Sequence, residues 1–351
     1  MKHLIKRALA VIGGPIVAAM IAFGIGAILI LLMDADPVSA YQGLWRGAFG
    51  SRLSTSETLL KASPLLLVGL SMTVAYRCSF WSIGAEGQLQ IAALAVAIFG
   101  TVGDFFPNWL GVLIMILIGF LFGALWAVIP GLLKVRLRVN EVISTLLLNY
   151  VALLFVEYMT KHVVGDPKAY GWGVTRQIAS SFEFPILVPG TRLHVGLLIS
   201  VFCAGLVYFL LWRTTLGYKI RAVGLNPHAA KAGGIDVNRY VILSVILSGG
   251  LAGLAGVGEV AGIHHRLISG FSPGYGYLGI IIALLAGLHP LGVIVVAILF
   301  GGLTVGADTM SRTAGIDISL VTVISGLIVL FVIAGQQIMR NWRPTWISRL
   351  Q

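Results

Sequence analysis

Apolar residues run through this chain in stretches of membrane length, separated by short turns rich in polar residues, Gly or Pro. A helix needs roughly 20 predominantly apolar residues to cross a hydrocarbon core. By that measure the sequence predicts spans at 8–32, 58–76, 88–103, 109–131, 141–160, 194–212, 240–260, 275–288, 291–307 and 318–337. The eighth is short for a crossing, and His289-Pro290 breaks it from the ninth,. The expected fold is an all-α polytopic membrane protein. It has about ten transmembrane helices, short or broken helices near 275–307, and both termini in the cytoplasm. Residues 1–351 read as one transmembrane domain, with no low-complexity linker and no second soluble domain.

One stretch departs from this pattern. Between Trp212 and Tyr240 lies the island RTTLGYKIRAVGLNPHAAKAGGIDVNR, set within a cytoplasmic segment 213–239. Thr214 and Thr215 can cap a short helix over Leu216–Val223, which Gly224 can end in a left-handed conformation,. Asn226 then offers a second cap with Pro227 at the first helical position, and Gly233-Gly234 supply a stop,. Two short helices meeting at a Gly-Leu-Asn-Pro corner make a knob suited to docking another protein. The alternative is a basic loop that only fixes topology.

Composition narrows the class. The chain is 58% hydrophobic and 11% charged, against roughly 25% charged in a soluble domain, which excludes an ordinary soluble enzyme. Its 44 glycines suit close helix crossings, although this is generic to membrane bundles. A net charge of +11 raises a nucleic-acid reading, but the positive charges are sided. With the N-terminus inside, the inner loops hold 15 of the 24 basic residues and three acids (Glu86, Glu141, Asp236), leaving nine basic and ten acidic residues outside. That asymmetry orients a membrane protein and favours ten spans. The basic N-terminal head leads into an apolar run longer than a signal-peptide core, so it reads as a retained first span. Cys78 and Cys203 lie far apart in or beside apolar runs and read as packed thiols,.

Several polar residues sit where lipid or protein should surround them. Glu86 and Gln88, in the Gly-Ala-Glu-Gly-Gln turn, could line a path or cap the third span. Asn140-Glu141 opens the fifth span as a cap and first-turn acid. Behind it Ser144, Thr145 and Asn149 form one polar stripe, which could meet a ligand or hydrogen-bond a neighbouring helix. Phe271, Tyr275 and Tyr277 follow His264-His265 and could stack on a ring or form an interfacial belt. The large outer loop, about 161–193, carries turn residues and aromatics such as Trp172. It either contacts an external partner or merely connects spans. No metal-ligand spacing and no hydrolytic constellation is found.

Four segments in order carry a family resemblance. The island RTTLGYKIRAVGLNPHAAKAGGIDV resembles the cytoplasmic coupling segment of ABC importer permeases of the branched-chain amino acid, simple-sugar and nucleoside group. SFWSIGAEGQ (79–88), VNEVISTLLLNY (139–150) and GYGYLGIIIALLAGLHPLG (274–292) are similar to elements of its nucleoside and simple-sugar branch. The resemblance runs from about Pro64 to Gly335. Two departures stand out: Trp81-Ser82 where that branch usually has Phe-Asn, and Ala286-Gly287-Leu288 before His289-Pro290.

The resemblance implies a permease subunit of the bacterial inner membrane. Its partners would be ABC ATPase subunits, a second identical or similar permease chain, and an extracytoplasmic solute-binding protein, with no nucleic acid. The chain would carry no cofactor, and ATP and Mg would belong to the ATPase. Consistent with this, no GxxxxGK[ST] loop occurs,. The coupling residues implied are Leu216, Gly217, Lys219, Ile220, Arg221, Val223, Gly224, Asn226, Pro227, Ala230 and Gly233. Leu216, Ile220, Val223 and Leu225 would fill an ATPase groove, with Lys219 and Arg221 pairing to its acids. Trp81, Ser82, Glu86, Gln88, Ser144, Thr145, Asn149, Phe271, Tyr275 and Tyr277 are the substrate-path candidates. The expected solute is a nucleoside or related purine. A monosaccharide is the alternative, and an ion-coupled secondary transporter is the rival mechanism, which needs a buried acidic site deep in the membrane.

Overall fold

In a computed structural model of the chain, the described residues are 20–21, 23–32, 34–103, 106–169, 171–317 and positions 321, 323, 326, 327, 330 and 334. Most of the predicted tenth span and the start of the first lie outside them. The helices are α1 (Pro37–Phe49), α2 (Arg52–Arg77), α3 (Ala85–Gly100), α4 (Asn108–Leu137), α5 (Glu141–Tyr158) and α6 (Gly196–Arg213). They continue with α7 (Thr215–Leu225), α8 (Pro227–Ala232), α9 (Val237–Val257), α10 (Tyr275–Leu285) and α11 (Pro290–Ala314). π-helical turns extend α5 over Met159–Val163 and α9 over Gly258–His264. No strand forms among the described residues.

Among the described residues, six helices are long and apolar enough to cross a membrane: Arg52–Arg77, Asn108–Leu137, Glu141–Val163, Gly196–Arg213, Val237–His264 and Pro290–Ala314. They match the second, fourth, fifth, sixth, seventh and ninth predicted spans. The predicted third and eighth spans become the shorter apolar helices Ala85–Gly100 and Tyr275–Leu285. At 1.5 Å per residue these reach about 24 and 16 Å, less than a ~30 Å hydrocarbon core. The break before α11 is where His289-Pro290 placed it. Gly287 and Leu288 take positive φ of 63° and 54°, and Pro290 opens the next helix.

Contacts divide the chain into two compact units, Met1–Thr58 with Gly302–Gln351, and Leu59–Gly301. In the first, the Asp36 carboxylate caps α1 by accepting the N–H groups of Val38 at 3.1 Å and Ser39 at 2.9 Å,. Ile30, Ala40, Met310, Ile316 and Val321 are buried together. Gly43 brings α1 so close to α11 that a Cβ there would lie 2.2 Å from Thr313 Oγ1.

In the second unit, α2 is the innermost helix, with Leu65, Leu66, Val68, Leu70 and Met72 fully buried. Serine pairs tie it to its neighbours: Ser63 with Ser200 of α6 at 3.3 Å, and Ser71 with Ser248 of α9 at 2.9 Å. The most extensive seam joins α4 to α9. A Cβ on Gly123 would stand 2.4 Å from Gly249 O, and one on Gly253 would stand 2.1 Å from Gly119 O. Small residues four apart on both helices allow this approach, and dispersion between the backbones replaces a hydrophobic driving force that lipid does not supply. The opposite face of α4 exposes Leu113, Leu117, Leu121, Leu125 and Ile129, one per turn, as a lipid-facing stripe requires,.

The loop after α5 lies over the ends of α3 and α9. Ala179 N–H donates to Gly100 O at 2.7 Å, and Phe184 N–H donates to Ala261 O at 2.8 Å. Thr175 and Leu267 exchange two bonds, at 2.9 and 3.0 Å. Trp172 and Ile186 remain exposed.

Candidate functional site

The island between α6 and α9 folds as two short helices. Thr214 caps α7, its Oγ1 accepting from Gly217 N–H at 3.1 Å. Asn226 Oδ1 caps α8, accepting from His228 N–H at 3.0 Å and Ala229 N–H at 3.1 Å, with Pro227 at N1. Gly233 ends α8, and Gly234 follows at φ +80°. Capping is local chemistry, and these expectations hold.

The corner is built differently from the expectation. Helix α7 continues through Gly224 to Leu225, and the extended Asn226, φ −158°, makes the turn. Gly224 therefore serves close packing rather than a left-handed stop: a Cβ there would lie 2.0 Å from Arg77 O. Ser79 Oγ donates to Gly224 O at 2.6 Å beside this contact. Gly217 plays the same part against α6, where a Cβ would lie 2.0 Å from Leu210 O.

The faces of α7 also differ from the expectation. Ile220 and Val223 are 0% and 1% exposed and pack into this chain's own core, so they cannot enter a partner's groove without unpacking it. Leu216 is half-buried, and Ala230 of α8 is buried. The outward face carries Tyr218 at 61% and Leu225 at 88%, next to exposed Asn226, Pro227, Lys231 and Gly233. The two cations expected to meet partner acids rest on aromatic faces. Lys219 Nζ stands 5.5 Å from the Tyr240 ring, and the Arg221 guanidinium stands 5.6 Å from the Trp212 ring,.

The second cluster lies where α3 begins. After Arg77 the chain runs irregularly through Ser79–Gly84, and α5 supplies partners for its backbone. Thr145 Oγ1 accepts from Ile83 N–H at 3.0 Å, and Asn149 Oδ1 accepts from Gly87 N–H at 2.9 Å. Asn149 Nδ2 donates to Ile83 O at 2.9 Å. Ser82 Oγ accepts from Gly84 N–H at 3.0 Å, and Lys134 Nζ, ion-paired with Glu141, donates to Ser79 O at 3.3 Å. Ser82, Gln88, Ser144, Thr145 and Asn149 are all buried. The polar stripe of α5 thus meets an irregular backbone that hydrocarbon could not solvate.

Glu86 belongs to both α3 and α10. It sits in the first turn of α3, and its Oε2 accepts from Gly276 N–H, in the first turn of α10, at 2.7 Å. Gly276 permits this meeting, since a Cβ there would lie 2.3 Å from Glu86 N. One carboxylate therefore faces the positive ends of two helices. Tyr275 is 2% exposed, and its hydroxyl accepts from Lys61 Nζ at 3.2 Å. Trp81 and Tyr277 are partly exposed at 47% and 39%, and Phe271 is half-buried before α10. Of the path candidates, these three offer side-chain surface.

Two further acids, Glu157 and Glu259, lie near the ends of predicted spans. Glu157 pairs with Lys161 on the surface of α5 and its π turn. Glu259 is 1% exposed within the π turn after α9, with His264 Nε2 3.5 Å from its Oε2. Two positions carry more than the sequence reading gave them. Lys61 could have been found as a lone cation inside an apolar span. Arg77, counted there only as an inside charge, turns out to hold the end of α10.

Residues 54–333 match the family described as the branched-chain amino acid transport system permease component. The chain belongs to that family, and it is a multi-pass membrane permease subunit. Among its relatives is a guanosine ABC transporter permease protein, NupP, of Bacillus subtilis, 34% identical over 91% of this chain and 92% of that protein. A nucleoside ABC transporter permease protein, NupB, of Lactococcus lactis is 33% identical over 91% of this chain and 89% of its own length. A glucose ABC transporter permease protein, TsgB13, of Haloferax volcanii is 31% identical over 92% of this chain and 87% of its own. The same two bacteria each hold a second, more distant match, NupQ at 26% and NupC at 28% identity.

Proposed function

We propose that this chain is one membrane-spanning subunit of an ATP-driven importer for nucleosides or closely related purines. The observation that supports it best is the α7–α8 elbow: a capped, rigid helix pair whose outward face exposes Leu225 and Tyr218 while its inward face is bolted to the permease core. Such a face fits a groove on a separate ATPase, which would bind ATP and Mg, since this chain has no phosphate-binding loop,. A second permease chain completes the pathway, and the paired relatives of two bacteria favour a non-identical one. An extracytoplasmic receptor delivers the solute. The elbow and both termini face the cytoplasm across the inner membrane, in a ten-span arrangement made of the six long helices, the shorter α3 and α10, and the first and tenth predicted spans.

The nucleoside reading rests on the names of two relatives at 33–34% identity. The glucose-named relative at 31% supports a monosaccharide as the second reading. Proteoliposomes holding this chain, its co-encoded ATPase and partner permease, with the receptor inside the assay, test both. We expect ATP-dependent, vanadate-sensitive uptake of labelled guanosine, not displaced by excess glucose. Displacement by glucose favours the second reading. Uptake by the lone chain under an ion gradient contradicts both.

A further inference from the structure

The short helix α10 is gripped at both ends by one stretch of chain. At its start, Glu86 accepts the Gly276 N–H at 2.7 Å. At its end, Arg77 Nε donates to Leu288 O at 3.0 Å and its Nη2 donates to Gly287 O at 3.3 Å. These carbonyls lie just past the last turn of α10, where its negative pole favours a guanidinium. Arg77 and Glu86 are nine positions apart on the segment that ends α2 and opens α3. The same segment carries the elbow, through the Gly224–Arg77 backbone contact and the Ser79–Gly224 hydrogen bond. Trp212 adds a third joint. Its ring lies 5.1 Å from the Arg77 guanidinium, 5.6 Å from that of Arg221 on α7, and 5.0 Å from the His289 ring beyond α10.

We propose that residues 77–86 form a rigid yoke through which α7 and α10 move as one body, with Arg77 and Glu86 as its positioning residues. This rests on the reading that the elbow receives motion from an ATPase. At about 16 Å, α10 is too short to be anchored at both membrane surfaces, so it can shift as a unit. Its buried residues are Tyr275, Gly276, Gly279, Ile282 and Ala283, and its other face exposes Tyr277 and Leu284. Besides the Lys61–Tyr275 hydrogen bond to α2, the polar grip at each end is what ties α10 to residues 77–86. Tyr277, carried on the free face, is the side chain that such a shift would move against the solute.

The test uses the assembled transporter with spin labels at Thr215→Cys and Leu284→Cys, both exposed, and with the buried Cys78 and Cys203 left in place. Their separation is read by pulsed electron resonance without nucleotide and in the vanadate-trapped state. In the otherwise unaltered chain the distance distribution stays within about 2 Å between states. Arg77→Ala is expected to broaden or shift it in the trapped state, with uptake falling at least tenfold while ATP hydrolysis stays within twofold. Glu86→Ala should behave alike, and Glu86→Gln, which keeps an acceptor for Gly276 N–H, should retain at least a third of the uptake. Size-exclusion elution and subunit stoichiometry of each variant confirm assembly.

The yoke is refuted if the 215–284 distance of the unaltered complex changes between states, or if Arg77→Ala leaves both distance and coupling unchanged. An unaltered complex with no ATP-dependent uptake instead overturns the proposed function.

Discussion

The elbow at 214–234 and the polar stripe of α5 are two polar patterns in an apolar chain, and they use their side chains in opposite ways. The stripe spends Thr145 and Asn149 on the backbone of the segment that opens α3, leaving none of that polarity on view. The elbow satisfies its backbone with local caps from Thr214 and Asn226 and leaves Tyr218 and Leu225 facing outward. A polar residue in a membrane protein must either replace the water that a neighbour's backbone has lost or meet something outside the chain. The difference shows up in exposure, and it separates a scaffold from a contact surface.

That contrast can be broken by substitution. The largest effect is expected at Gly224→Val, which drives a side chain into Arg77 O. Backbone cannot give way as a flexible side chain can, so the elbow must lift off the 77–86 segment. ATP-coupled uptake should be lost while the helices still insert, read by uptake alongside protease mapping of the inserted chain. Retained uptake would mean that the contact is not needed for coupling.

Ile220→Asp comes next. It places an unpaired carboxylate in a fully buried site of the elbow and should cost about 3 kcal/mol or more, measured as a lower unfolding midpoint in detergent. Asn149→Leu leaves Gly87 N–H and Ile83 O without partners. Its expected cost is about 1–3 kcal/mol. If Asn149 served only the solute, the midpoint would not move and uptake alone would fall. Asn226→Ala removes the α8 cap and should cost about 1 kcal/mol, seen as faster amide exchange at His228 and Ala229.

Leu225→Asp has the smallest effect on stability, within about 0.5 kcal/mol for so exposed a residue. It should nonetheless reduce the ATPase that co-purifies. Ile220→Asp and Leu225→Asp lie five residues apart on one short helix, so this pair separates the inward face from the outward one.

How much of this was legible in the sequence follows from the range of each interaction. The caps at Thr214 and Asn226-Pro227 act over three residues, and they stand in the structure as read. The His289-Pro290 break is equally local. Orientation of α7 was not legible. Its period marks Ile220 and Val223 as a buried face but does not say whether the burial is against this chain or another. Gly224 misled for a related reason. A glycine near a helix end suggests a left-handed turn, whereas its use here is set by Arg77, far away in sequence. The joint roles of Glu86 and Arg77 on α10 depend on partners some 190 and 210 positions away, which spacing along the chain cannot bring together. The third and eighth apolar stretches gave the right helices but not lengths that cross a bilayer unaided.

The central claim is that the outward face of the elbow is where a separate ATPase takes hold. A photo-reactive phenylalanine analogue at position 225, compared with one at the lipid-facing position 117, tests this directly in membranes expressing the co-encoded subunits. The account predicts a covalent adduct with the ATPase from position 225 and none from 117. An ATPase adduct absent at 225, in membranes where the complex takes up solute at the normal rate, would contradict it.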